Sequence, residues 1–301
     1  MKRFTKKYLL IVLISLLSLY SIPVYAQTSS PLKSAAAFVK DEPETSAIHD
    51  ILPQLKRAKV VYLGETHDRP EDHQIQLDII QSLHQQQPKV AIALEMFQRP
   101  YQQFLDQYVA GSITEQELIK KTEYDQRWGF PWEYYAPILR YARANKLPLV
   151  AINLPSEITR QVAQKGFASL TPQQRQLVPP LTEIRTDNVE YRQMLLDVFT
   201  QHQQAGHGAS GEFEKFLFVQ VLWDETMAQN VAQFLTIQPQ YQIIVLAGQA
   251  HIAYGYGIPD RVARRLPKVV QRSVLFSVPE QIQPNKRIAD FILDSSKTEV
   301  N

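Results

Sequence analysis

Two hydrophobic rhythms alternate along this chain. Short runs of consecutive apolar, often β-branched residues recur at Val60-Val61-Tyr62-Leu63, Val90-Ala91-Ile92-Ala93-Leu94, Leu147 to Asn153 and Ile243-Ile244-Val245-Leu246-Ala247. Between them, apolar residues return every three or four positions. Ile75, Ile79, Ile80 and Leu83 share one face from Asp72 to Gln87, and Pro88 stops that pattern. Tyr135, Ile138, Leu139 and Ala142 mark another such face, and Glu212 to Leu235 reads as a long helix. Continuous runs suit strands buried on both faces, and a 3.6-residue period suits helices packed on one side. Strand and helix in alternation predict an α/β domain, built on a mostly parallel sheet with crossover helices on both faces.

Finer signals complete the pattern. A short helix is expected around Ile48, Ile51, Leu52 and Leu55, and a last strand over Ser273 to Val278. Gln98 to Tyr135 reads as a helical, aromatic-rich insertion, in which Gly111 ends one helix and Thr114 with Glu117 forms a capping box for the next. Ser156 is expected to cap the helix after the third strand, and Gly166 to close it. Arg127-Trp128-Gly129-Phe130-Pro131-Trp132 is either satellite core packed on the sheet or the wall of a pocket. Ala205 to Gly211, with three glycines around His207, reads as a hinge or loop. Tyr191, Leu195, Val198 and His202 form one helical stripe.

The first segment stands apart. Lys2, Arg3, Lys6 and Lys7 precede the apolar stretch Leu9 to Leu19, and Val24-Tyr25-Ala26 places small residues where a signal peptidase reads. This predicts a secretory signal peptide over 1–26, then a linker over 27–46, one domain over 47–294 and a loose tail over 295–301. The protein would then be periplasmic or extracellular after cleavage near Ala26, and the mature chain would not span a membrane. Four of the 32 basic residues lie in that segment, so 28 remain against 30 acidic ones and no basic block is left to grip nucleic acid. Cysteine is absent, which excludes disulfides, thiolate metal sites and a lipobox anchor.

Candidate chemistry gathers where the apolar runs end. Gly64-Glu65-Thr66-His67 follows the first run, Glu95 the second, and Gly248-Gln249-Ala250-His251 the fourth. Ligands of parallel sheets sit at the carboxyl ends of strands, so Glu65, His67, Glu95 and His251 are expected to meet in one cleft. Such a set suits either a divalent metal, held by these four residues, or general acid–base work. Alternatively Glu65 and His67 cap a helix while His251 bonds a carbonyl. His73 is a supporting candidate, and His49 and His84 read as surface positions. Neither a G-x-S-x-G elbow nor a glycine-rich phosphate loop occurs, which disfavours serine hydrolases and nucleotide enzymes.

VYLGETHDRPEDH, VAIALEMF, RWGFPWEYYAPILRYAR, LPLVAINLP, FVQVLWDETMA and LAGQAHIAYGYGIPDRV occur in that order between Val60 and Val278. This set resembles the ChaN-like family of haem-binding uptake proteins, within a wider group that includes erythromycin esterases and Tiki/TraB-type proteins. The resemblance implies an exported haem-binding protein of haem or iron handling, a binding protein more than an enzyme. It also implies a haem-mediated homodimer with tyrosine–iron ligation and a histidine nearby. Carried onto this chain, the ligand candidates are Tyr191 and His251, with Tyr254 and Tyr256 as rivals; the Arg261, Arg264 and Arg265 cluster would meet the haem propionates. Two alternatives remain: a metal-dependent hydrolase using Glu65, His67, Glu95 and His251, and a non-catalytic scaffold that keeps the site as a remnant.

Overall fold

The structure is a computed structural model, described here for residues 48–204, 213–276 and 287–293, with backbone alone over 201–204. The expected signal peptide, linker, hinge at 205–211 and tail, and the side chain of His202, lie outside the described residues. Helix α1 (Ile48–Arg57) leads into β1 (Val60–Glu65), α2 (Pro70–Gln86) and β2 (Val90–Gln98). Then come α3 (Gln102–Ala110), α4 (Glu115–Thr122), α5 (Tyr124–Arg127) and α6 (Trp132–Ala144) before β3 (Leu149–Asn153). Next are α7 (Ser156–Lys165), α8 (Pro172–Arg175), α9 (Val189–Gln204), α10 (Phe213–Ile237) and β4 (Gln242–Gly248). The last elements are α11 (Ile258–Arg265), β5 (Gln271–Leu275) and β6 (Phe291–Ile292).

The strands form one sheet in the order β3-β2-β4-β1-β5-β6, and every pairing is parallel. Alternation within each strand sorts its residues between two cores. Val61, Leu63, Ile92, Leu94, Ile244 and Leu246 face α1, α2, α3 and α6. Val60, Tyr62, Ala91, Ala93, Ile243 and Val245 face α10 and α11. A third apolar cluster joins α7, α9 and the first half of α10 beside the sheet. Among the described residues, no helix is long and apolar enough to cross a membrane.

This topology decides where a ligand can sit. The chain leaves β1 and β2 toward one face, through α2 and α3, and leaves β4, which lies between them, toward the other face through α11. A crevice therefore opens above the carboxyl end of β4, the position where open α/β sheets bind ligands. Register levels the strand ends: Glu65 pairs with Gly248, and Leu94 with Leu246.

Several local expectations hold and some are corrected. Thr114 and Glu117 form both halves of the capping box, and Gly111 ends α3 in the left-handed region at φ 84°. Ser156 is not a cap: it is the first residue of α7, whose cap position is Pro155 without a side-chain hydrogen bond. Strand β2 continues beyond Glu95 to Gln98, and its register against β3 slips between Leu94 and Gln98. Its apolar run ends at Leu94, so periodicity gave no sign of that irregularity. The strand expected over Ser273 to Val278 is β5, which starts earlier at Gln271 and ends at Leu275, with 277–278 outside the described residues; the two-residue β6 is too short to leave a pattern.

Candidate functional site

Glu65 is the anchor of the site. It is buried at the end of β1, and four side chains converge on it. Tyr135 of α6 donates its hydroxyl to Oε1, His67 Nδ1 lies 2.7 Å from that same oxygen, and Gln76 of α2 donates to Oε2 at 2.6 Å. His73 Nδ1 stands 3.5 Å from Oε2, while its Nε2 lies 3.0 Å from the His67 carbonyl. Burial alone would raise the Glu65 pKa, but the His73 charge and the hydrogen bonds from His67 and His73 outweigh it and hold the carboxyl well below its ordinary range. Burial likewise opposes the His73 charge, yet Glu65 outweighs it and lifts that imidazole to about 9. At neutral pH this is a buried ion pair with its hydrogen bonds made, the condition under which buried charge is tolerated.

An ionised Glu65 only accepts hydrogen bonds, so His67 carries a hydrogen on Nδ1, and its Nε2 is the ring nitrogen turned away from that carboxylate. That ring packs edge-on to Trp128 at 4.8 Å and against Phe130 at 5.0 Å. A carboxylate behind an imidazole, fixing tautomer and ring plane, is the usual backing of a metal-binding histidine.

The second carboxylate faces it. Glu95 follows Leu94 in β2, within the register slip, and such bulges re-aim side chains beside functional sites. Its Oε2 accepts the Gly248 N–H at 2.7 Å, and its Oε1 lies 3.5 Å from His251 Nε2. His251 is buried and its Nδ1 sits 2.6 Å from Asp224 Oδ1 on α10. Its Nε2 has no hydrogen-bond partner among the described residues. Burial works against charge here too, but the Glu95 and Asp224 carboxylates prevail and raise His251 to about 9. The other oxygen of Asp224 accepts the Tyr191 hydroxyl.

A cleft opens over these groups. His67, Glu95, Trp128, Phe130, Leu154 and Trp223 line its inner part, and Gln98, Arg127, Asn153 and Ser156 its outer part. Its enclosed volume is about 50 Å³, so a large ligand would meet it only at its mouth. Trp128 and Phe130 therefore serve both roles left open by the sequence, since they also pack with the core on the first sheet face.

The four strand-end residues lie near one another as pairs rather than as a metal cage, with His67 and Glu95 lining the cleft and Glu65 and His251 behind them. Glu65 binds His67 and Glu95 faces His251, and among the described residues no group of three or more histidines and carboxylates is arranged to hold a metal ion. Tyr191 stands behind Asp224, outside the lining of the cleft. Burial, then the Asp224 charge, pushes its phenol well above the ordinary value, opposite to what a tyrosinate requires. Tyr254 adopts φ 57° and stacks on Tyr256 at 5.4 Å, and Tyr256 lies 6.2 Å from Tyr191. The arginines are committed elsewhere. Arg261, Arg264 and Arg265 all pair with the buried Glu225, at 3.4 Å, 2.5 Å and 2.8 Å, so the structure does not bring them to the cleft.

Sequence reasoning missed Gln76, Tyr135, Arg127 and the role of Asp224. Asp224 and Glu225 inside the apolar run FVQVLW…TMA carried a signal, because carboxylates in such a run need buried partners.

Comparison with known proteins bears on this geometry. The model of the haem-binding uptake proteins of the Tiki superfamily, ChaN, matches residues 51–262. The chain belongs to the ChaN family. A relative of this ChaN-family chain, the chloroplast protein RETICULATA-RELATED 5 of Arabidopsis thaliana, is 29% identical over 258 residues, covering 79% of this chain. The chain spans only 34% of that relative's length. The solved structure of ChaN of Campylobacter jejuni, which binds haem cofacially, matches with a TM-score of 0.64 at 20% identity, over 81% of this chain and 90% of that one. The fold is thus ChaN-like over 81% of this chain.

Proposed function

We propose that this chain binds haem at the mouth of the cleft above β4, as an exported component of haem or iron uptake. The family carries the reading, and one observation supports this location. The cleft is walled by Trp128, Phe130, Leu154 and Trp223, and at its base lies an imidazole whose Nδ1 is tied to a carboxylate. A porphyrin needs an apolar slot and an axial donor, and the haem iron would supply the coordination chemistry. His67 Nε2 is the donor this arrangement favours. Tyr191 is disfavoured because its hydroxyl is bonded to Asp224, and Tyr254 and Tyr256 stay as rivals. Pairing of two chains through stacked haems belongs to the same proposal, as does export through a signal peptide over 1–26. Metal-dependent hydrolysis is disfavoured because the carboxylates and imidazoles are spent on one another.

Titration of the purified protein with haemin, followed by visible absorption, tests the reading. Saturable binding is expected, weakened tenfold or more in Trp128→Leu and with an altered spectrum in His67→Ala, whereas Tyr191→Phe should match the parent. A parent protein that leaves the haemin spectrum unchanged would dismiss haem binding. A normal parent with a changed Tyr191→Phe spectrum would instead move the axial donor to Tyr191. N-terminal sequencing of the natively expressed protein tests export, for which a start near Gln27 is expected and an intact Met1 is the contrary result.

A further inference from the structure

The carboxyl end of the sheet carries the cleft, and its amino end carries a charge pattern that only the fold assembles. The segments entering β1, β2, β4 and β5 are 53–59, 84–89, 238–241 and 266–270, and none contains Asp or Glu. They supply Lys56, Arg57, Lys59, Lys89 and Lys268, too dispersed along the chain to read as a basic block. The sheet order β2-β4-β1-β5 sets these segments side by side. Backbone bonds stitch them together: the Gln242 N–H donates to the Lys89 carbonyl at 2.8 Å, and the Ile243 N–H to the Lys59 carbonyl at 3.0 Å. The Lys59 N–H in turn donates to the Val270 carbonyl at 2.7 Å.

Most of these cations are uncommitted. Lys59 turns its ammonium to the Pro239 carbonyl, but Lys56, Arg57, Lys89 and Lys268 are exposed and have no ion pair among the described residues. The helix dipole favours Lys56 and Arg57 in the last turn of α1. Lys89 and Lys268 lie beyond the helix ends, where that reason fades. Exposed apolar groups share the face. Ile237 at the end of α10 is 74% exposed, and Val270 is 46% exposed. Unpaired cations around exposed aliphatic side chains suit a surface that lies on anionic lipid, where the cations meet headgroup phosphates and the aliphatic groups enter the interface. A nucleic acid would use the same cations but leave Ile237 and Val270 uncovered.

We propose that the amino end of the sheet docks on anionic phospholipid headgroups, with Lys56, Arg57, Lys89 and Lys268 as its cations and Ile237 and Val270 as shallow apolar contacts. The cleft lies at the opposite end of the same strands, so a docked molecule presents it away from the lipid. The inference does not depend on what the cleft binds.

The test is co-sedimentation of the natively expressed protein with vesicles of phosphatidylcholine alone, or of phosphatidylcholine and phosphatidylglycerol in equal parts. The parent should prefer the anionic vesicles and lose that preference in high salt. Each cation near such a surface is worth about fivefold in partition, so Lys56→Gln, Arg57→Gln, Lys89→Gln and Lys268→Gln combined should weaken binding about a hundredfold or more. A control with Lys120→Gln, Lys121→Gln, Lys165→Gln and Lys215→Gln has the same net charge and exposed positions elsewhere, and should bind like the parent. An apolar amino-terminal segment still attached would act in parent and variants alike, so their comparison reports the face. The absence of cysteine allows a second readout, a polarity-sensitive dye on Ile237→Cys or on Gln126→Cys near the cleft. Anionic vesicles should blue-shift the dye at position 237 and leave it unchanged at 126. A parent indifferent to phosphatidylglycerol, equal loss in the two fourfold variants, or a blue shift at 126 alone overturns the inference. Tighter binding of the parent to duplex DNA than to anionic vesicles, lost in the first fourfold variant, overturns it in favour of a nucleic-acid surface.

Discussion

Gly248 places two reactive groups by having no side chain. Its N–H holds Glu95 Oε2 at 2.7 Å, and a Cβ at this position would lie 2.9 Å from His67 Nε2 and 3.1 Å from its Cε1. The ring cannot simply swing away, because Trp128, Phe130 and Glu65 hold its other sides. Gly248→Ala should therefore cost about 1–3 kcal/mol by overpacking, lower Tm by several degrees, and shift the His67 ring resonances in NMR. Unshifted His67 resonances in a folded Gly248→Ala would show that the ring does not rest on Gly248. At this scale the sequence was informative about which residues matter and silent about how they pair. Glu65, His67, Glu95 and His251 stood out because polar residues closing apolar runs must lie at strand ends. Tyr135 and Asp224 did not, because a partner some 70 or 27 positions away is set by packing and leaves no spacing to read. The arginines at 261, 264 and 265 were misplaced for the same reason: helical spacing gives their face, not the buried Glu225 opposite.

Among the elements, β2 and the aromatic segment after it decide the character of the cleft. The strand was legible from its apolar run, but the slip that carries Glu95 was not, since a bulge changes register without changing composition. The double role of Trp128 and Phe130 was also undecidable from sequence, as aromatic side chains suit a core and a pocket wall equally. Cap chemistry, by contrast, is local and was read directly: Thr114 and Glu117 satisfy each other's end of α4. Thr114→Ala should cost about 1 kcal/mol of stability, seen as a small drop in the urea midpoint with porphyrin binding unchanged. Altered porphyrin binding in that variant would tie the insertion to the cleft more closely than its packing suggests.

For the whole molecule, the parallel sheet and its two helical layers followed from alternating periods, whereas the strand order did not, because periodicity carries no neighbour information. That order matters, since it sets β4 between two strands whose connections leave on the opposite face. The buried charges make the assembled site pH-dependent. His73 and His251 have folded values near 9, raised from 6.5, so their contribution is complete below about 6.5 and is lost as pH rises through 9. Glu65 is depressed, so its contribution is present above 4.5 and fades as pH falls below it. Denaturant midpoints should therefore decline between neutral pH and pH 10, and His251→Gln should flatten part of that decline. A stability that rises over this range would contradict the buried imidazolium assignment.

Haem is proposed to sit at the mouth of the cleft above β4, beside His67. Anomalous scattering at the iron edge from crystals of the haemin-loaded protein tests it most directly. An iron peak at the mouth of the cleft, next to His67 and beside the Trp128–Phe130 wall and Trp223, is expected. An iron peak at Tyr254, at the Arg261–Arg265 helix or on the outer surface of the domain would contradict it.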